Sequence, residues 1–216
     1  MQRRHADGPA RAPLFHIGAE SRVAAGMMRN KVSRELFAYW DALRGARAAP
    51  ERACFNPGAI SAILADTFLI EVDAEGLFPL RVVGTRVNAI RGAELKGTSF
   101  LDLWRQEDRQ SVHAALVAVV DGVAPLVGGA RMRAPGDAQV DLEFLLLPMR
   151  HFGKTHSRVL GAISPARAVE WMAAGGASPL EFLSMRIVDA AQAVPLQPPA
   201  QSSRRPRLVI SNPEKS

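Results

Sequence analysis

The chain has one cysteine and one tyrosine in 216 residues, and only 6% of its residues are aromatic. The single Cys54 excludes an intrachain disulfide and fits a reducing, cytoplasmic setting. No apolar run reaches the roughly 18–20 residues that a membrane-spanning helix needs. The opening stretch MQRRHADGPARAPLF carries basic residues with no apolar segment behind them, so no signal peptide is expected. Common enzyme motifs are also missing: there is no GxSxG, no phosphate loop with GK[ST] and no HExxH. The glycine pair in LVGGARM lies in a strand pattern rather than opening a helix, which excludes the usual dinucleotide loop.

The net charge of +6 hints at nucleic acid until it is divided along the chain. Residues 1–34 hold seven Arg/Lys against two acids, and residues 191–216 hold four against one. The 35–190 segment is left with 16 basic and 18 acidic residues. The basicity belongs to the ends, so no specific nucleic-acid partner is expected; the alternative is a tail-driven contact with RNA or an anionic membrane. Residues 1–28 read as a flexible basic arm. Residues 191–216, rich in Pro, Ser and Gln, read as a disordered tail that includes a short apolar RLVI patch. Between them, 29–190 holds one folded domain with a C-terminal extension, and 48% hydrophobic residues suffice for its core.

Val32, Leu36, Trp40 and Leu43 follow helical spacing, with Phe37 and Tyr39 widening the stripe and Gly45 placed to end it. Leu36, Tyr39 and Trp40 either cover a core or form a homodimer contact through helix 31–45. Asn56-Pro57 opens a short helix to about Ala65. DTFLIEV and LFPLRVVGT then form an antiparallel hairpin around the DAEG turn. Phe68, Ile70 and Val72 share one face; so do Phe78, Leu80 and Val82, with Arg81 opposite. Gly84-Thr85 ends the second strand, glycine allowing a sharp turn and Thr85 capping the next helix. Short helical pieces broken by Gly92 and Gly97 precede a longer helix that lines up Val112, Leu116 and Val119 and stops at Gly122. Three strands follow. The middle one is apolar at Val140, Leu142, Phe144 and Leu146, but also at Leu145 and Leu147 on its other face, which helix 31–45 is expected to cover. Two strands, then a run of helices, then three strands indicate an α+β domain on an antiparallel sheet.

That order, together with LFAYWDALRG, NPGAISAIL, TFLIEV, LRVVGT, RGAELKGTSFLDLW, LEFLLLPM and VLGAISP, resembles the PAS-like proteins widespread in alphaproteobacteria, the PAS_5 family, over about residues 33–165. The resemblance implies a five-stranded sheet with the central helices on one face. It also implies a cytoplasmic, non-enzymatic, single-domain signalling protein, some of whose relatives are linked to motility and cell-cycle control. It supplies no catalytic motif to carry over.

The candidate sites follow from this frame. A ligand between sheet and helices would be lined by Phe78, Val82, His113, Leu116 and Phe144; otherwise side chains such as Phe78, Val82, Leu116 and Phe144 fill that space. Haem-sensing PAS domains carry their iron ligand on the helix that holds His113, so haem is an alternative reading, although no cofactor or metal is expected. His151 and His156 read as exposed turn histidines. A small-molecule enzyme or ligand carrier on a related fold would use His113 and Asp108 as acid and base. Arg81, Arg131 and Arg133 should lie near one another. They either pair with Asp141 and Glu143 across strands or form a basic patch for an acidic signalling partner or a nucleotide-like anion.

Overall fold

Asn30 starts the first helix by accepting from the Val32 amide at 2.8 Å, an N-cap that satisfies one of the helix's unpaired donors. The helix, α1 (Lys31–Arg44), stops where Gly45 takes φ 55°, a conformation that costs glycine little. The computed structural model describes residues 27–73, 75–133, 138–165 and 178–188. The tail 191–216 with its RLVI patch, and the arm up to residue 26, lie outside the described residues. Met28 is already buried beside α1, so the fold is under way two residues before the cap.

The segment expected as a helix after Asn56-Pro57 is two 3-10 turns, Pro57–Ile60 and Leu64–Asp66. Strands β1 (Thr67–Glu71) and β2 (Leu80–Val83) form the hairpin. Helix α2 (Thr85–Arg91), two 3-10 turns between Phe100 and Asp108, and α3 (Arg109–Gly122) come next. Val123, at φ 48°, takes the left-handed position expected one residue earlier at Gly122. β3 (Leu126–Arg133), β4 (Gln139–His151) and β5 (Lys154–Pro165) follow, and then β6 (Glu181–Ile187).

The fold is the expected α+β arrangement on an antiparallel sheet, but the sheet has six strands, ordered β2-β1-β5-β4-β3-β6. The added strand β6 pairs with β3 through a register shift at Gly129/Ala130. Its approach is fixed by Leu180, which exchanges backbone bonds with Leu103 and Arg105 at 2.8 and 2.9 Å.

Strand alternation sends one face to each layer. Phe68, Ile70, Leu80, Phe144, Leu146 and Ile163 pack under α2 and α3. Leu69, Val127, Leu145, Leu147 and Leu160 belong to a second cluster on the other face, together with Leu36, Phe37, Tyr39 and Trp40 of α1, all buried. The cover expected for Leu145 and Leu147 is therefore present. Polar bonds seat α1: the Trp40 indole donates to the Pro148 carbonyl at 2.8 Å, and the Asn30 amide donates to Ser164 and Pro165.

Candidate functional site

The space between the sheet and α2/α3 is filled by aromatic rings in sequence. Phe68 meets Phe100 at 5.1 Å, Phe100 meets Trp104 at 5.8 Å, and Trp104 meets Phe144 at 5.2 Å and Phe182 at 6.0 Å. Two strand glycines make room for this column. A Cβ on Gly161 would lie 2.3 Å from the Phe68 ring, and one on Gly128 would lie 2.2 Å from Phe144. Phe78, Leu116 and Phe144 are buried in this core. The Trp104 indole N–H is buried with no acceptor among the described residues, a local cost that the surrounding ring contacts offset.

Val82 does not belong to that interior. The register jumps from Leu69↔Val82 to Ile70↔Leu80, so Arg81 is the extra residue of a β-bulge. The bulge turns Val82 onto the α1 side of the sheet, where it is 50% exposed, and brings Val83 to the helical core instead. His113 also lies outside. It is exposed at the edge of the buried arc of α3, with its ring edge-on to Phe78 at 5.4 Å, and it faces the Gly76 turn. That placement does not aim the His113 ring into the core under α2 and α3, where the haem reading would need it. No cluster of three or more metal-ligating side chains occurs among the described residues. Asp108, the suggested partner of His113, accepts from the Phe182 amide at 3.0 Å and so holds β6 in place.

The basic residues are dispersed. β2 and β3 are separated by three strands, which puts Arg81 roughly 19 Å from Arg131 at ~4.8 Å per strand. Arg131 pairs with Asp141 at 2.7 Å, as the cross-strand reading expects. Arg81 pairs instead with Glu71, which also meets Arg158 at 3.0 Å. The hydrogen bond from Arg81 is the largest effect and outweighs burial; with the charge of Arg158 added, it holds the Glu71 carboxyl below its ordinary range. Arg133, opposite Gln139, is exposed on the α1 side. Glu143 accepts from the Arg29 and Asn30 amides at 2.8 and 3.0 Å and anchors the start of α1. Leu36, Tyr39 and Trp40 are buried within the chain, so they have no surface to offer a second copy; the dimer contact proposed for them is ruled out by their packing on the sheet.

Two grooves escape sequence reading. Helix α1 packs over β4 and β5, which leaves the α1-side face open at both margins. Over β3 and β6 lies a cleft of about 310 Å³ that includes Arg29, Glu143 and Arg186. Over β1 and β2 lies a larger groove of about 560 Å³, walled by Phe55, Pro57 and Leu64 on one side and by Leu69, Val82 and Leu160 on the other. Gly84 closes its end. At φ −71° the backbone there is ordinary, but a Cβ would lie 2.2 Å from the Ala65 carbonyl oxygen. Gly84 is thus required by proximity rather than by a sharp turn, and it, not Thr85, is the N-cap of α2.

The family model for PAS_5, a PAS domain, matches residues 28–164. The chain belongs to this PAS family. No curated protein matches it. Among solved structures it is similar to the PAS domain of a Colwellia psychrerythraea protein (14% identity, TM-score 0.40, covering 51% of this chain and 97% of that one). It is similar also to a Rhodobacter sphaeroides LOV protein (15%, TM-score 0.39, covering 50% and 63%) and to the PAS domain of an HTR-like protein from Haloarcula marismortui (18%, TM-score 0.32, covering 50% and 93%). The PAS_5 match stops at residue 164, before β6, so the sixth strand and its dock at Leu180 lie beyond the family's span. No helix among the described residues is long and apolar enough to cross a membrane.

Proposed function

We propose that this PAS domain is a non-enzymatic, cytoplasmic sensory or adaptor protein of bacterial signalling. Its output is contact with other signalling proteins, in the motility or cell-cycle setting and the alphaproteobacterial context that the sequence resemblance implies. The observation that carries the reading is the aromatic column from Phe68 to Phe182, which occupies the space under α2 and α3 with the protein's own side chains. The carboxylates near it have structural roles: Asp108 holds β6, and Asp66 pairs with Arg86 at 2.5 Å. Contact is supported by β6, which with β2 forms an edge of the sheet among the described residues, where Leu183, Met185 and Ile187 are 40%, 45% and 54% exposed. Exposed apolar residues on a sheet edge invite a partner strand.

The test is crosslinking mass spectrometry on tagged protein in its own cells, comparing wild type with Met185→Asp/Ile187→Asp. Defined heteromeric crosslinks at β6 that the double variant loses while keeping its melting temperature support the reading. Crosslinks unaffected by the variant, or turnover of a metabolite by the purified chain, overturn it.

A further inference from the structure

We propose that the 560 Å³ groove over β1 and β2 binds a small amphipathic carboxylate, its apolar body on Leu69, Val82 and Leu160 and its carboxylate on Arg52. The volume lies within the ~300–1,000 Å³ range of small-molecule sites. Every lining residue except Arg52 is uncharged, so one cation faces an otherwise apolar or hydroxyl-bearing wall. Arg52 is half-buried and has no carboxylate partner among the described residues, unlike its neighbours Arg44, Arg81 and Arg86. It is nonetheless positioned, with its guanidinium 5.4 Å from the centre of the Phe55 ring, itself a groove wall. A planar, always-charged fork held over an apolar slot fits a carboxylate bidentately.

The walls are set before any ligand arrives. The Asp66–Arg86 pair ties the Leu64–Asp66 turn to α2, and the Gly84 amide donates to the Thr67 carbonyl at 2.8 Å. The Thr67 hydroxyl is already used, donating to the Leu64 carbonyl at 2.9 Å. The Ser61 and Thr85 hydroxyls have no partner among the described residues and are available to a second ligand oxygen. The bulge that brings Val83 to the core leaves Val82 half-exposed on the groove wall; with an apolar ligand in the groove, that side chain acquires a contact. The inference goes beyond the adaptor reading and does not depend on it.

The experiment titrates the full chain with decanoate, read by calorimetry and by methyl chemical shifts, with methyl decanoate as the uncharged control. Saturable binding below 1 mM is expected, with shifts at Leu69, Val82 and Leu160, and methyl decanoate should bind about tenfold or more weaker because the charge-assisted contact is gone. Arg52→Gln should lose a similar factor, Arg52→Lys should recover part of it, and Val82→Asp should abolish binding, while Arg186→Gln in the other cleft leaves it unchanged. Melting temperatures within about 2 °C of wild type certify each variant as folded. No saturable binding, equal affinity for the methyl ester, or shifts confined to the β3/β6 cleft overturns the proposal. Those outcomes leave the crosslinking test of β6 untouched.

Discussion

Gly161→Ala is the sharpest test of the filled interior. The φ of Gly161 lies outside the left-handed region, so the backbone accepts alanine; what opposes the methyl is space. The new Cβ would sit 2.3 Å from both Cε2 and Cζ of Phe68, and 2.9 Å from the Leu145 carbonyl oxygen of the adjoining strand. Phe68 is only 1% exposed and stacks on Phe100, so its ring has nowhere to retreat. Overpacking of this kind costs about 1–3 kcal/mol, and the lower backbone entropy of unfolded alanine returns about 0.5–1 kcal/mol. A net loss of about 1–2 kcal/mol is expected, or a melting temperature lower by about 2–8 °C for a domain of this size. The decisive measurement is a double-mutant cycle with Phe68→Leu, by urea denaturation followed through the fluorescence of buried Trp40 and Trp104. Leucine lacks the two ring atoms that block the methyl. The double variant should therefore be only slightly less stable than Phe68→Leu alone, a coupling of about 1–2 kcal/mol. Additivity within about 0.5 kcal/mol would show that the two side chains do not compete for space and would refute the packing argument.

Three further outcomes follow from the same structure. Asn30→Ala removes the cap on Val32 and the buried donors to Ser164 and Pro165, and should cost about 2–3 kcal/mol; a loss under about 0.5 kcal/mol in chemical denaturation would mean α1 is anchored elsewhere. Trp40→Phe keeps most of the buried ring but takes the indole donor from the Pro148 carbonyl, for a loss of about 1–2 kcal/mol in the same assay, and an unchanged midpoint would contradict the hydrogen bond. The folded Glu71 carboxyl is held below its ordinary value by Arg81 and Arg158, so its stabilisation is complete above the unfolded value near pH ~4.3 and is lost as pH falls through the lowered one. Glu71→Gln should therefore be less stable than wild type at pH 7, by about 1 kcal/mol or less for so accessible a pair, and the difference should shrink as the pH falls below the ordinary carboxylate range; parallel stability curves would disprove the linkage.

The parts of this fold legible in the sequence are those whose periodicity runs unbroken. Leu36, Phe37 and Trp40 recur at helical spacing, and Leu145 and Leu147 add a second apolar face to a strand, so a helix over that face follows from the pattern alone. Errors begin wherever one residue changes the phase. The bulge at Arg81 moves Val82 to the opposite face from the one its alternation predicts, and the shift opposite Gly129/Ala130 does the same within β6. Leu180 and Phe182 face the core, but Met185 and Ile187, continuing the apolar run out of phase, are exposed, which is why that strand gives no clean alternating signal. His113 fails for a related reason: it lies at the margin of an arc formed by Val112, Ala115, Leu116 and Val119, where a few tens of degrees separate a pocket from solvent. The distance between Arg81 and Arg131 depends on strand order, which no local pattern records.

The groove at Arg52 is harder still to read, because it is assembled from the 52–65 turns, the β1–β2 hairpin and Leu160, none of which carries a motif. Its one local trace is an arginine three residues before a phenylalanine, a pairing that becomes informative only once the structure shows Arg52 stacked on that ring without a carboxylate to neutralise it. The same reasoning explains the division of labour between the two faces. Under α2 and α3 the aromatic rings pack against one another and against the two strand glycines. On the α1 side the helix is narrower than the sheet, and apolar surface is left uncovered at the margin. A PAS domain whose interior is filled in this way has its adaptable surface on the outer face, and ligand chemistry there would act on β2 and α2 through Gly84, the residue that closes the groove and caps the helix.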